Sequence, residues 1–193
     1  MKKGKAIFTI LLVFVLGFLT GSIGVILTRQ NGVEKFLVHH MAQSPVTKEP
    51  ISIELMEKIE DLKEAVRLKP NNLAAWLRLG NIYFDYGRYR EAIKAYHNYL
   101  SLKPDDPDIR TNMGIMLRGL GDDDGAIEEF RKATLSDPKH ANSRFQLGLV
   151  LLQNKKDVQE AILAWKAYLK VELKGERANW VRNELKRLET TNP

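Results

Sequence analysis

From Ile51 onward, apolar residues recur every three or four positions, the spacing of helices that bury one face. Pro70, Gly87, Pro104, Gly121 and Pro138 interrupt the pattern and divide it into segments of helix length. The first segment, roughly Ser52 to Leu68, puts Leu55, Ile59, Leu62, Ala65 and Val66 on one face. After it the segments come in pairs. Gly80, Ala92, Tyr96 and Pro104 recur 34 residues later as Gly114, Ala126, Phe130 and Pro138. Two helices per period of that length predict stacked helical hairpins. A third set, Gly148, Ala161 and Trp165, has 13 residues between glycine and alanine where the others have 12. The extra residue predicts a longer turn over 154–159.

The predicted order is a lone helix in 51–72, hairpin units at 73–106, 107–140 and 141–174, and a last helix with a tail in 175–193. That last helix, about Arg177 to Leu188, presents Trp180, Val181, Leu185 and Leu188, and would cap the final unit. Any Cβ at Gly80, Gly114 or Gly148 would hold the two helices of a unit apart. Ala92, Ala126 and Ala161 serve the same contact, and the aromatic four residues on fills space between units.

These residues together resemble the tetratricopeptide repeat (TPR) family over about residues 51–190. The resemblance implies an all-α, helical-hairpin superhelical solenoid with a C-terminal capping helix. It also implies a surface that holds another polypeptide. In that family first helices line the concave face. By position they would present Leu77, Asn81 and Phe84 in the first unit, and Thr111, Ile115 and Arg118 in the second. Phe145, Leu149 and Leu152 follow in the third. Each trio falls at i, i+4 and i+7, one stripe of a helix. An apolar stripe that packing does not explain marks a partner site, suited to an amphipathic helix. Two alternatives stand beside an open groove: a flanking helix fills it, or the register is off by one and some of these residues are core. A clamp for a C-terminal carboxylate is disfavoured, because Leu77, Asn142 and Gln146 stand where that clamp has cations.

The chain before Ile51 has a different texture. Lys2, Lys3 and Lys5 make a basic start in 1–5, followed by 22 uncharged residues from Ala6 to Leu27. A helix of that length spans roughly 33 Å, enough for the hydrocarbon core of a bilayer. The expectation is one transmembrane helix at 6–27 that precedes the solenoid, with a tether over 28–50. Positive charge on the amino side places the N-terminus in the cytoplasm and the repeats outside, in the periplasm of a bacterium, anchored in the inner membrane. A cleaved leader is the alternative, with 17–24 its best cleavage stretch.

Net charge is +6, but residues 1–50 hold six Lys/Arg against two Asp/Glu. The remainder is nearly balanced, so charge is no argument for nucleic acid. The absence of cysteine excludes disulfides, thiolate zinc sites and covalent c-type haem attachment. His39-His40-Met41 lacks a carboxylate cluster, and Asp122-Asp123-Asp124-Gly125 lacks the later ligands of a calcium loop. The acidic run instead suits a helix N-terminus. No metal, cofactor or catalytic residue is expected, and no enzyme motif is present.

The layout of basic start, anchor, tether, repeats and cap is similar to membrane-anchored TPR proteins of bacterial cytochrome c maturation. That resemblance implies capture of an apocytochrome c segment for the haem lyase, with haem lyase subunits as further partners. The alternative is a generic scaffold or chaperone-like adaptor in another envelope assembly, such as secretion, pilus or translocon. Self-association is open in both.

Overall fold

The structure is a computed structural model that describes residues 51–191. The expected basic start, transmembrane helix, tether and last two tail residues lie outside those residues. No described helix is long and apolar enough to cross a membrane.

Helices begin where the chain supplies an acceptor for the orphan N–H groups of a first turn. Ser52 caps α1, Ile53–Leu68, by accepting from the Leu55 N–H at 3.2 Å. Asn72 caps α2, Leu73–Asp85, through the Ala75 N–H at 3.1 Å. α3, Tyr89–Leu102, follows Arg88 without a side-chain cap. Asp106 caps α4, Pro107–Gly119, where Pro107 occupies the first turn and sacrifices no helical hydrogen bond. Asp122 caps α5, Asp123–Ser136, and His140 caps α6, Ala141–Val150. Asp157 caps α7, Val158–Leu169, and α8 runs Glu176–Thr191.

Successive helices pack as neighbours, α2 on α3, α4 on α5, α6 on α7, with α8 against α7. The hairpins thus stack in chain order, each first helix also meeting the helix before it. Buried residues gather in clusters that each span more than one unit. Leu62, Leu79, Tyr96 and Met116 share one cluster that crosses α1 to α4. Phe130, Val150 and Ala161 share another across α5 to α7.

Each signature aromatic lies flat on the glycine of its own unit. A Cβ on Gly80, Gly114 or Gly148 would collide with the ring of Tyr96, Phe130 or Trp165. The three rings are fully buried. The glycine is therefore a seat for the aromatic as well as a point of helix approach.

Within units one and two, Gly87 and Gly121 make the turn in the left-handed region, at φ 67° and 84°. The third unit solves its extra residue differently from the expected loop. Leu151–Lys155 forms a π-helical turn, and Lys156 takes the left-handed residue at φ 54°. The wider turn absorbs one residue while the Asp157 N–H still reaches the Leu151 carbonyl at 2.9 Å.

One contact repeats that the sequence conceals. The Trp76 indole N–H donates to the Pro70 carbonyl at 2.8 Å. Arg110 Nε donates to Pro104 at 3.0 Å and Arg144 Nε to Pro138 at 3.2 Å. Tryptophan and arginine share the position because both carry a flat N–H donor at the right reach. Arg110 also holds Glu129, nearly buried on α5, at 2.7 Å.

Asp106 does more than cap α4. It accepts from the Tyr99 hydroxyl at 2.7 Å and from Lys103 Nζ at 2.9 Å. Burial pushes its carboxyl up, but Tyr99, Lys103 and the Ile109 N–H outweigh this and hold its pKa below the ordinary value. A carboxylate with a depressed folded-state pKa stabilises the fold above its unfolded value of about 3.9 and ceases to as pH falls through the folded one. Asp106→Asn keeps a cap oxygen and should flatten this dependence. Thermal melts between about pH 5 and about pH 3 should fall more steeply for the native chain than for the variant.

Candidate functional site

The first-helix stripe does not form one open groove. In α2, Leu77 and Phe84 are half-buried and Asn81 is exposed. In α4, Ile115 and Arg118 are half-buried, but Thr111 is fully buried, and its hydroxyl turns back to the Pro107 carbonyl at 2.7 Å. In α6, Phe145 and Leu149 are buried at 3% and 1% exposure, and only Leu152, in the π turn, is partly accessible. Thr111, Phe145 and Leu149 are thus packing residues rather than a surface for a partner.

The cause at the third unit is α8. The Trp180 ring meets Phe145 edge-on at 6.0 Å and Trp165 at 5.2 Å. The Arg177 guanidinium lies over Phe145 at 4.7 Å and donates to Asn142 at 3.2 Å. The last helix therefore covers the apolar end of the stripe, as a cap must for the final hairpin.

What remains accessible of the stripe in units one and two is apolar at Leu77, Phe84 and Ile115 and polar at Asn81 and Arg118. The buried Tyr96 hydroxyl donates to Asn81 Oδ1 at 2.7 Å, and burial pushes the phenol pKa far above its usual value, with an Asn112 hydrogen bond opposing. An asparagine whose oxygen is thus occupied keeps two N–H donors for another group. Arg118 donates to Gln153 at 2.8 Å, a residue brought there by the π turn. Burial lowers the Arg118 pKa, and the Asp123 carboxylate counters it. Asp85, at the end of the same stripe, has its carboxyl pushed up by burial.

Sequence spacing missed the roles of Tyr96 and Gln153. Tyr96 occupies a packing position, and only its hydroxyl distinguishes it from Phe130. Gln153 depends on the inserted residue, which spacing does show. Among the described residues no cluster of three His, Asp or Glu could hold a metal.

The arrangement defines an α-solenoid of stacked helical hairpins. Its repeat is the tetratricopeptide repeat: the sequence pattern of that family matches residues 73–106 and again 111–171. A TPR repeat-containing thioredoxin from Arabidopsis thaliana is 30% identical over 76 residues, 39% of this chain and 11% of that protein. The first curated relatives are longer, and the matches span between 10% and 30% of their length. A crystal structure of MamA matches with a TM-score of 0.60 at 18% identity, covering 74% of this chain and 91% of that one. The Yersinia enterocolitica type III secretion chaperone SycD, in complex with a peptide of the translocator YopD, matches with a TM-score of 0.58 at 19% identity. That match covers 63% of this chain and 95% of the other.

Proposed function

We propose that the chain is a non-catalytic interaction module that holds a polypeptide segment against the concave stripe of its first two units. One observation carries this reading. Leu77, Phe84 and Ile115 stay partly accessible on the first helices of units one and two, and the helix face of Leu77 and Phe84 also carries the Asn81 amide, whose oxygen is fixed by Tyr96. Apolar sites for alternate side chains beside amide donors for backbone carbonyls suit a peptide better than a small metabolite. That SycD was solved with a translocator peptide supports the reading.

Phe84→Asp with Ile115→Asp should weaken a bound partner at least about tenfold, because central apolar contacts carry most interface energy. Leu163→Asp, on an exposed face of α7, should not. Co-purification of partners with the full chain from its own host, followed by titration of the partner on each variant, measures this. Equal affinity in all three proteins would sink the groove.

The finer reading places the module at the outer face of the inner membrane, anchored through 6–27, with an apocytochrome c C-terminal segment as ligand. Its support is the sequence layout: an uncharged run, a basic start and repeats of the right texture. Carbonate extraction tests the anchor, since full-length protein released from membranes contradicts it. Apocytochrome peptides that fail to bind the full chain would leave the scaffold alternative.

A further inference from the structure

A cleft of about 510 Å³ opens between α1, α2 and α3, away from the concave stripe. It is lined on α2 by Trp76, Leu79 and Tyr83, none of which belongs to the stripe Leu77, Asn81 and Phe84. At 3.6 residues per turn the two sets point about 130° apart round the helix. Its volume lies within the range of roughly 300–1,000 Å³ that holds small ligands or a few side chains.

The walls combine an apolar floor with a cationic rim. Trp76 is half-buried, and its indole N–H is fixed on the Pro70 carbonyl. Tyr83 lies beneath the Arg88 guanidinium, 5.4 Å from the ring centre. Lys63 and Arg67 from α1 and Lys94 from α3 complete the rim, with Glu91 the one carboxylate that lines it. Three of these cations already have partners on or beside their own helix. Lys63 meets Glu60 at 2.6 Å, Arg67 meets Glu64 at 2.6 Å, and Arg88 Nε meets Glu91 at 2.9 Å. All three pairs are exposed, and such pairs hold weakly enough for an incoming carboxylate to replace them. Lys94 forms no ion pair among the described residues.

We propose that this cleft is a second docking surface, which takes an acidic peptide segment of a partner protein. A large apolar side chain of the segment would rest against Trp76 while flanking carboxylates meet Lys94 and Arg67. Charge complementarity selects the occupant: Glu60, Glu64 and Glu91 each answer one cation of the rim, which leaves Lys94 in excess to favour a carboxylate and repel a basic segment. The surface is independent of the concave stripe, and either can fail alone.

The test is fluorescence anisotropy of a labelled octapeptide with one central phenylalanine among glutamates, titrated with the full chain. The same peptide with lysines for glutamates is the control. Binding of the acidic probe only is expected, weakened at least tenfold in Lys94→Glu with Arg67→Glu. Both sites are exposed, so circular dichroism should show an unchanged fold. The charge-reversed protein should then prefer the lysine probe, which a misfolded protein would not. Phe84→Asp with Ile115→Asp should leave acidic-probe binding unchanged. The proposal is overturned if the acidic probe does not bind, if the charge reversals leave its affinity unaltered, or if the concave variants abolish it. Lys94-dependent sedimentation with phosphatidylserine vesicles, without probe binding, would assign the cleft to a membrane surface instead.

Discussion

Trp165→Ala should be the most damaging single truncation in the described residues, lowering stability by about 3–5 kcal/mol. The indole is fully buried on Gly148 and packs edge-on to Trp180. Its N–H also donates to the Phe145 carbonyl at 3.2 Å. Alanine would leave a large cavity and remove one of the aromatic contacts that hold the cap helix. Since units of a solenoid couple only to their neighbours, the loss should be local at first. Hydrogen exchange should show α6, α7 and α8 opening before α2 and α3. In urea the midpoint should fall by about 1 M or more, given slopes of roughly 1–3 kcal/mol/M. A uniform loss of protection across all units would show that the array unfolds as one body.

Gly80→Val should rank close behind, at about 3 kcal/mol or more. Its Cβ would come within 2.2 Å of Tyr96 ring atoms, and that ring is fully buried. The ring cannot tilt without releasing Asn81, so the variant should also impair partner binding. Gly114→Val meets Phe130 in the same manner, but that ring carries no hydroxyl and supports no groove amide. The pair therefore separates two effects. Both should lower the urea midpoint, and Gly80→Val should lose more affinity for a peptide than its stability loss accounts for.

The repeat was readable in the sequence because its residues are pinned by close approach. A glycine beneath an aromatic ring tolerates no substitute, so Gly80, Gly114 and Gly148 keep their spacing from Tyr96, Phe130 and Trp165. The cap at Asp122 was readable for a similar reason: it is an acceptor placed where a helix needs one. The candidate groove was less legible. Helical spacing gives the face on which Phe145 and Leu149 lie, but not whether a later helix covers that face. Trp180 and Arg177 make that decision from 35 residues away or nearly so, through contacts that no local pattern contains. Thr111 was hidden for another reason, since its hydroxyl is satisfied by its own helix and leaves it free to be core. The Trp76, Arg110 and Arg144 contacts were obscured because their common property is an N–H donor at a given reach, not a shared residue type.

The central claim is that the accessible stripe of the first two units holds a polypeptide. Placing a photo-reactive benzoylphenylalanine at Asn81, Ile115 or Leu163 of the full chain, in its own host, tests it most directly. Protein adducts should form from positions 81 and 115 and be absent from 163. Adducts confined to 163, or none from the stripe, would contradict it.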